Sequence, residues 1–258
     1  MEYSGGGDPK RSIELLWGLQ DRPGRGPKPR LTVEKITRSA IELADTEGLT
    51  ALSMRRVAEK LGVSTMSLYT YVPGKAELID LMLDTVYGET ARPDGPPAGW
   101  RARLELIARE NWALYLRHPW LLQVATGRPP LGPNTADKYE YELQAVAGIG
   151  LTEIEMDSVI TVILGHVHGA VRGAVEATQT VQRTGVTDEQ WWSAYAPLLE
   201  KVMDGNRYPL AGKVGTAVGE TYGAAYVDPA HTFEFGLQRL LDGIEQFVHA
   251  RSAPPDGP

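Results

Sequence analysis

The sequence predicts an all-α fold, in which a small N-terminal three-helix domain with a helix-turn-helix precedes a larger C-terminal helical domain. Apolar residues recur at helical spacing on both sides of Gly62, which is typical of two short helices joined by a tight turn. A proline- and glycine-rich stretch at residues 91–99 interrupts this pattern, and longer helical segments follow it. We therefore expect an N-terminal extension (residues 1–30), a helix-turn-helix domain (31–90) and a C-terminal domain (91–258).

The first helix of the small domain is predicted over Val33–Glu47, because its apolar residues fall on one face. Thr32 precedes this helix, where a hydroxyl caps free backbone N–H groups, and Gly48 ends it.

The helix-turn-helix itself is predicted within residues 53–75, SMRRVAEKLGVSTMSLYTYVPGK. Ser53 and Ser64 each precede a helical run as capping residues, and Gly62 stands where a left-handed residue is needed. The outward positions of the second helix are polar, aromatic or thioether groups, which is typical of a surface that contacts bases and phosphates. By periodicity alone, an ordinary helical hairpin with a solvated outer face is an equal alternative.

The C-terminal segment is predicted to be helical throughout, apart from one glycine-rich stretch. The helices are expected at residues 100–116, 135–148, 153–184, 188–203 and 231–251. Residues 206–230 contain four glycines, which predicts a long mobile loop.

The segment from Leu31 to Glu89 resembles the DNA-binding domain of the TetR family of transcriptional repressors. The resemblance rests on the motifs VEKITRSAIELADTEG, LSMRRVAEKLGV, STMSLYTYV and PGKAELIDLMLDTV, which follow one another in this order. The rest of the chain resembles the C-terminal domain of the tetracycline-repressor branch more loosely, through residues 117–120 (RHPW) and the last helix from Phe233. The resemblance implies a homodimer that binds a palindromic double-stranded DNA operator and is released by a small-molecule effector.

By the same resemblance, seven residues of the small domain are expected to contact DNA. Arg55 is the candidate for a guanine contact, Met66 for a thymine methyl group, and Lys75 for a phosphate. Of Tyr69 and Tyr71, we expect one ring to be more buried than the other. The full predicted set is Arg55, Thr65, Met66, Tyr69, Thr70, Tyr71 and Lys75.

The charge distribution also favours DNA, although the net charge is −7. Residues 22–38 carry six basic groups and one acid, whereas residues 91–258 carry 14 basic and 20 acidic groups. A proline-rich basic arm beside a helix-turn-helix is expected to enter the minor groove, the alternative being a solvated leader without a role. The arm residues are Arg22, Arg25, Lys28 and Arg30.

Aromatic residues of the C-terminal segment suggest a pocket for a flat, hydrophobic or aromatic effector such as an antibiotic. For each ring, a place in the core is the competing interpretation. His168, Arg172 and Glu176 share one helix face, where they would anchor a ligand or form a solvated or interface ion pair. The predicted ligand residues are Trp112, Tyr115, Trp120, Tyr139, His168, Arg172, Trp191 and Tyr195.

A homodimer is expected from the last helix, whose apolar residues follow an a/d-like pattern, and from Gly165, Gly169 and Gly173 of the long helix. An intramolecular core would use the same faces, so the need to span two major grooves adds independent weight.

The composition argues against other classes of protein. The chain has no cysteine, and its five histidines lie in no recognisable catalytic or metal-ligating pattern, so we expect no enzyme, metal or cofactor. With no signal-peptide pattern and no membrane span expected, a cytoplasmic protein is predicted. The alternatives are a DNA-binding regulator without an effector and a ligand-sequestering protein.

Overall fold

The computed structural model of the chain describes residues 2–19, 31–93, 95 and 98–252. The chain divides into two compact units, residues 1–161 and 162–258, and the division falls inside the long helix α8. The fold is all-α, as predicted. The domain boundaries inferred from the sequence remain a prediction.

The helices of the first unit agree closely with those predicted. Its helices are α1 (Pro9–Leu16), α2 (Val33–Glu47), α3 (Met54–Leu61), α4 (Thr65–Tyr69), α5 (Lys75–Tyr87), α6 (Trp100–Arg117) and α7 (Pro133–Gln144), with short 3-10 helices at Leu49–Ala51 and Pro119–Gln123. Two-residue strands β1 (Glu2–Tyr3) and β2 (Val124–Ala125) pair in parallel, with Glu2 opposite Val124.

The predicted caps of the small domain are confirmed. Thr32, Ser53 and Ser64 each accept a hydrogen bond from the backbone N–H three residues later, at 3.2, 3.3 and 3.1 Å. Gly62 ends α3 in the left-handed conformation (φ 66°), which a glycine adopts without steric cost.

The core of the first unit joins α2, α3, α4 and α5 to the segment that follows α6. Ile36 of α2, Val57 of α3, Leu68 of α4 and Leu78 of α5 are fully buried. Trp120 from the 3-10 helix after α6 belongs to the same cluster. The helix-turn-helix is therefore fixed to a larger helical body and presents only its outer face to solvent.

The second unit contains the C-terminal part of α8 (Glu153–Thr184), α9 (Asp188–Val202), α10 (Pro209–Tyr222) and α11 (Pro229–Ser252). Buried valines of α8 and the buried Phe233, Leu237 and Leu241 of α11 form its interior. The His166 ring of α8 stacks on Phe233 and would collide with a Cβ atom at position 236, so Gly236 allows this close packing.

The predicted mobile loop at residues 206–230 is wrong, because the structure contains helix α10 there. A Cβ atom at Gly219 would lie 2.8 Å from Nε1 of Trp192. The glycine thus admits the indole against α10, and this packing outweighs the low helix propensity of glycine.

Among the described residues, α8 is long and apolar enough to cross a membrane by length and composition. A single helix of this kind is weak evidence for a membrane span, since core helices of soluble proteins have the same composition. Its residues Ile163, Val167, Val171 and Val175 form a row that is buried inside the protein.

Candidate DNA-binding surface and effector cavity

The outer face of the helix-turn-helix carries the side chains predicted to contact DNA. Leu68 and Val72 hold α4 and the chain after it against the core, because both are completely buried. On the opposite side, Met66 is 75% exposed and Tyr69 is 45% exposed. A largely exposed thioether beside an exposed aromatic ring is apolar surface that a partner could cover, so this surface is suited to a partner.

The two tyrosines of this region differ in burial, as predicted. Tyr71 packs against the hydrophobic core, whereas the Tyr69 ring projects into solvent. The Thr70 hydroxyl donates a hydrogen bond to the Met66 carbonyl at 3.3 Å, and Thr65 opens the helix.

Arg55, the predicted guanine-contacting residue, lies on the exposed face of α3. Its Nε donates a hydrogen bond to Oε1 of Glu59 at 2.8 Å, and this bond raises the pKa of the guanidinium. The side chain is 81% exposed, so the ion pair with Glu59 is a surface pair that a DNA base can displace at little cost. Arg56 pairs instead with Glu47 of α2.

Lys75, the predicted phosphate-binding residue, is the first residue of α5. Its ammonium group lies 2.8 Å from the Glu2 carboxylate, and both side chains are partly buried. Sequence patterns do not reveal this pair, because the two residues are 73 positions apart and belong to no common periodic pattern.

We call residues 2–19 the N-terminal strap, because this segment is bound along α5. The Asp80 carboxylate accepts hydrogen bonds from the Ser4 hydroxyl and the Gly5 N–H at 3.0 Å each, and from the Ser12 hydroxyl at 3.4 Å. Leu15 of α1 is buried in the core. The arm residues Arg22, Arg25, Lys28 and Arg30, which follow the strap, lie outside the described residues.

The second unit contains a cavity of about 810 Å³. One wall is a face of α8 that includes Gly169, Gly173 and Glu176. The opposite side is formed by Trp191 of α9 and by the residues that lead into α11, among them Tyr226. A volume of this size is sufficient for a drug-sized molecule.

Two domain models of known families match the chain. "Bacterial regulatory proteins, tetR family" matches residues 36–82, and "Tetracyclin repressor-like, C-terminal domain" matches residues 92–248. The chain belongs to the TetR family. It is therefore a DNA-binding transcriptional repressor with a helix-turn-helix.

Individual TetR-family proteins match large parts of the chain. The transcriptional repressor DrrR1 of Streptomyces coeruleorubidus is 49% identical over 257 residues, which are 98% of this chain and 93% of DrrR1. A regulator from Saccharopolyspora erythraea is 33% identical over 60% of this chain and 66% of its own. The structure of Streptomyces coelicolor ActR in complex with actinorhodin is 26% identical, covers 84% of this chain and 96% of ActR, and has a TM-score of 0.67.

Of the eight residues predicted to bind an effector in this TetR-family chain, Trp191 lines the cavity. Tyr195 stacks on Trp191, with 4.3 Å between the ring centroids. His168 and Arg172 lie on α8 and are absent from the lining. Burial, and then the positive charge of Arg172, lower the pKa of His168.

The remaining four predicted ligand residues lie in the first unit. Trp120 is buried in the core, and burial raises the pKa of the Tyr115 phenol to about 12. Trp112 is partly buried, and Tyr139 is exposed with its hydroxyl 2.7 Å from Asp157. Residue type did not distinguish these positions from the cavity wall.

Proposed function

We propose that the protein is an effector-controlled repressor that binds a palindromic operator as a homodimer and leaves it when a small aromatic or hydrophobic molecule binds. The exposed outer face of the helix-turn-helix, together with a cavity large enough for a ligand, is the observation that carries this proposal. ActR, whose structure contains bound actinorhodin, is a relative with similar overall architecture.

In the proposed complex, the N-terminal residues of α4 enter the major groove. Arg55 leaves Glu59 to contact a guanine, and Met66 contacts a thymine methyl group. Tyr69 and Lys75 bind phosphates, which position the protein without reading sequence. The basic arm at residues 22–30 enters the adjoining minor groove.

The homodimer is supported by apolar side chains that this chain leaves uncovered. Phe235 and Phe247 of α11 are 59% and 44% exposed, and Val162 of α8 is 49% exposed. A second copy packed on α8 and α11 would bury such residues. A two-fold dimer is also the arrangement that presents two recognition helices to successive major grooves, about 34–36 Å apart.

Release requires that the effector bind the form unable to hold the operator more tightly than the DNA-binding form. We assign the effector to the cavity lined by Trp191, and the transmission of its effect to α5 and residues 91–99. The protein would act in the cytoplasm, where its operator is accessible.

The proposal is tested by fluorescence anisotropy of a labelled duplex from the region upstream of the coding sequence, with a scrambled duplex as control. Specific binding with a stoichiometry of two chains per operator would support the repressor. Arg55→Ala should weaken the preference by about 1–3 kcal/mol, whereas Arg38→Ala, which removes another exposed arginine paired with a glutamate four residues away, should leave it unchanged. Equal and weak binding to both duplexes would refute the proposal.

A further inference from the structure

The α8 residues that line the cavity include four glycines and alanines, together with Glu176, Thr180 and Thr184. Gly169, Ala170, Gly173 and Ala177 follow one another on one side of the helix. A Cβ atom at Gly169 would have no atom within 4 Å, and one at Gly173 would make only ordinary contact with Pro229. The small residues therefore leave open space beside α8 at Gly169 and adjoin the start of α11 at Gly173.

The facing wall is flat and aromatic. Trp191 borders the cavity and is backed by Tyr195, whose ring lies nearly parallel to it at an angle of 23°. Val186 and Pro229 extend the apolar lining. A planar ring system fits between such an indole face and the stretch of α8 that carries only glycine and alanine side chains.

The ionisable groups that line the cavity are all acids or phenols. Glu176 and Asp188 are its charged residues, and among the described residues no arginine, lysine or histidine belongs to its lining. The Asp188 carboxylate accepts a hydrogen bond from the Tyr226 hydroxyl at 2.5 Å. Burial, followed by this bond and the carboxylate charge, raises the pKa of Tyr226 to about 12, so the phenol is neutral near pH 7.

The Glu176 carboxylate is available to a ligand. It forms no ion pair with any residue in the described part of the chain, and its backbone carbonyl is already used by the Thr180 hydroxyl. With Asp188, it gives the cavity a negative potential that nothing in the described lining compensates. An anionic ligand would be repelled, and a cation would gain two carboxylate partners and a cation–π contact.

We infer that the effector is a planar aromatic cation, whose ring lies on Trp191 and whose charged group lies towards Glu176 and Asp188. This inference rests on the proposed function, since it specifies the ligand of the same cavity. The positive charge of the effector distinguishes it from other flat compounds, which the aromatic lining alone would also accept.

Two dyes with the same three-ring core provide the test. Rhodamine 123 carries a positive charge and fluorescein a negative one at pH 7.5, and the binding of each to the DNA-free protein is followed by fluorescence anisotropy. We expect rhodamine 123 to bind about four- to 25-fold more tightly, because the Glu176 and Asp188 carboxylates each contribute about two- to fivefold. Glu176→Gln should weaken rhodamine binding by about two- to fivefold, and Glu200→Gln, an exposed acid of α9 outside the cavity, should not.

Equal binding of both dyes, or rhodamine binding that is unaffected by Glu176→Gln, would overturn the inference while leaving the repressor proposal intact. Blocking the space with Gly169→Leu should abolish dye binding without loss of helical content. If neither dye binds, the assignment of this cavity to a flat cation is refuted. The operator titration, which uses no dye, reports separately on whether the protein is a repressor.

Glu2 of the strap forms an ion pair with Lys75 at the start of α5. The strap is held by three hydrogen bonds to Asp80 and by pairing of β1 with β2, so Glu2 is presented by an ordered segment. Its carboxylate lies 2.8 Å from the ammonium group assigned to an operator phosphate. A phosphate and this carboxylate would compete for the same group.

The geometry points to an autoinhibitory contact, in which the strap lowers operator affinity by occupying Lys75. This second inference rests on the proposed phosphate contact of Lys75. Glu2→Gln should tighten operator binding about two- to fivefold at low salt, which is the range of a partly exposed ion pair. The logarithm of affinity should also fall more steeply with the logarithm of salt, by about 0.9 per subunit.

The matched control is Glu14→Gln, which removes an acid of the same strap whose partner is the exposed Lys10. Its operator affinity should equal that of the wild type. Unchanged or weaker binding by Glu2→Gln, with specific binding by the wild type, would refute autoinhibition but not the repressor. If the wild type binds no operator specifically, both autoinhibition and the repressor proposal are refuted.

Discussion

Replacing Asp45 by alanine is expected to destabilise the first unit substantially, because one carboxylate oxygen holds two buried donors. Oδ1 of Asp45 lies 2.7 Å from Nδ1 of His118 and 2.7 Å from Nε1 of Trp120. His118 and Trp120 are 4% and 1% exposed. These bonds tie α2 to the 3-10 helix that follows α6.

The magnitude follows from the donors left behind. A buried donor without an acceptor costs roughly 1–3 kcal/mol, so two of them cost about 2–6 kcal/mol. The Asp45 side chain is 27% exposed, so water reaches part of the vacated space and favours the lower half of that range. We expect a loss of about 2–4 kcal/mol, which lowers the melting temperature by about 4–16 °C in a protein of this size.

Urea and thermal unfolding monitored by circular dichroism at 222 nm would measure this loss. Glu42→Ala is the control on the same helix, since its exposed ion pair with Lys60 contributes about 0–1 kcal/mol. Trp120→Phe removes one donor, so the Asp45→Ala/Trp120→Phe double variant should be less destabilised than the sum of the single changes. The reasoning would be refuted if the double variant lost as much unfolding free energy as the two single variants together. It would also be refuted if Asp45→Ala were within about 0.5 kcal/mol of the wild type in stability.

Three further predictions concern acid stability, base readout and the arm. Burial opposes ionisation of Glu89, but hydrogen bonds from His118 and Arg117 outweigh burial and lower the pKa of its carboxyl group. The ionised carboxylate therefore contributes its full stabilisation above pH 4.5, the pKa in the unfolded chain. This contribution is lost as the pH falls through the pKa in the folded protein. The stability difference between wild type and Glu89→Gln, measured by urea unfolding, should therefore be present at pH 7 and vanish in strong acid; a constant difference would contradict it. Arg55→Ala should cost about 1–3 kcal/mol of operator binding and relax the preference at one base position, measured by titration against a set of single-base operator variants; a uniform loss would indicate a phosphate contact. Replacing all four basic residues of the arm by glutamine should flatten the salt dependence of operator binding; these residues are Arg22, Arg25, Lys28 and Arg30. The slope of the logarithm of affinity against the logarithm of salt concentration should change by about 0.9 for each phosphate that the arm no longer neutralises. An unchanged slope would show that the arm does not contact DNA.

Deleting the whole N-terminal extension would be a less direct test of the arm. The strap contributes the buried Leu15 to the core and donates several hydrogen bonds to Asp80. Its removal would leave a carboxylate that is 2% exposed without these partners. A weaker repressor obtained by deletion would therefore report on folding as well as on DNA binding.

Local signals were sufficient to predict most helices of this fold. The range Val33–Glu47 was predicted correctly because a threonine cap, a one-sided apolar pattern and a terminal glycine agree. For α10 the local signal was misleading. Gly219 lowers helix propensity, and only its contact with Trp192 reveals why a glycine occupies that position.

The strap illustrates a second limit of sequence reasoning. The structure has helix α1 at Pro9–Leu16 of the strap. The parallel pairing of β1 with β2 joins residues more than 120 positions apart, and nothing in two-residue strands specifies a partner. The Glu2–Lys75 pair is a consequence of that long-range arrangement, so it becomes visible only in three dimensions.

The candidate effector site depended on a distinction that residue type cannot make. Trp120 and Trp191 are chemically identical, yet the first is buried with its indole N–H bound to Asp45 and the second borders open space. The two tryptophans differ in the residues that lie across from each ring. A large ring beside α5 and α2 meets other core residues, whereas Trp191 faces glycines and alanines of α8, and that combination of a flat ring with absent side chains defines a cavity. The sequence suggested that Gly169 and Gly173 serve helix packing in a dimer, whereas the structure makes them half of the evidence for a ligand cavity. Gly169→Leu tests both interpretations. The leucine fills the cavity and, if a second copy packs on this face, it also weakens the dimer measured by sedimentation.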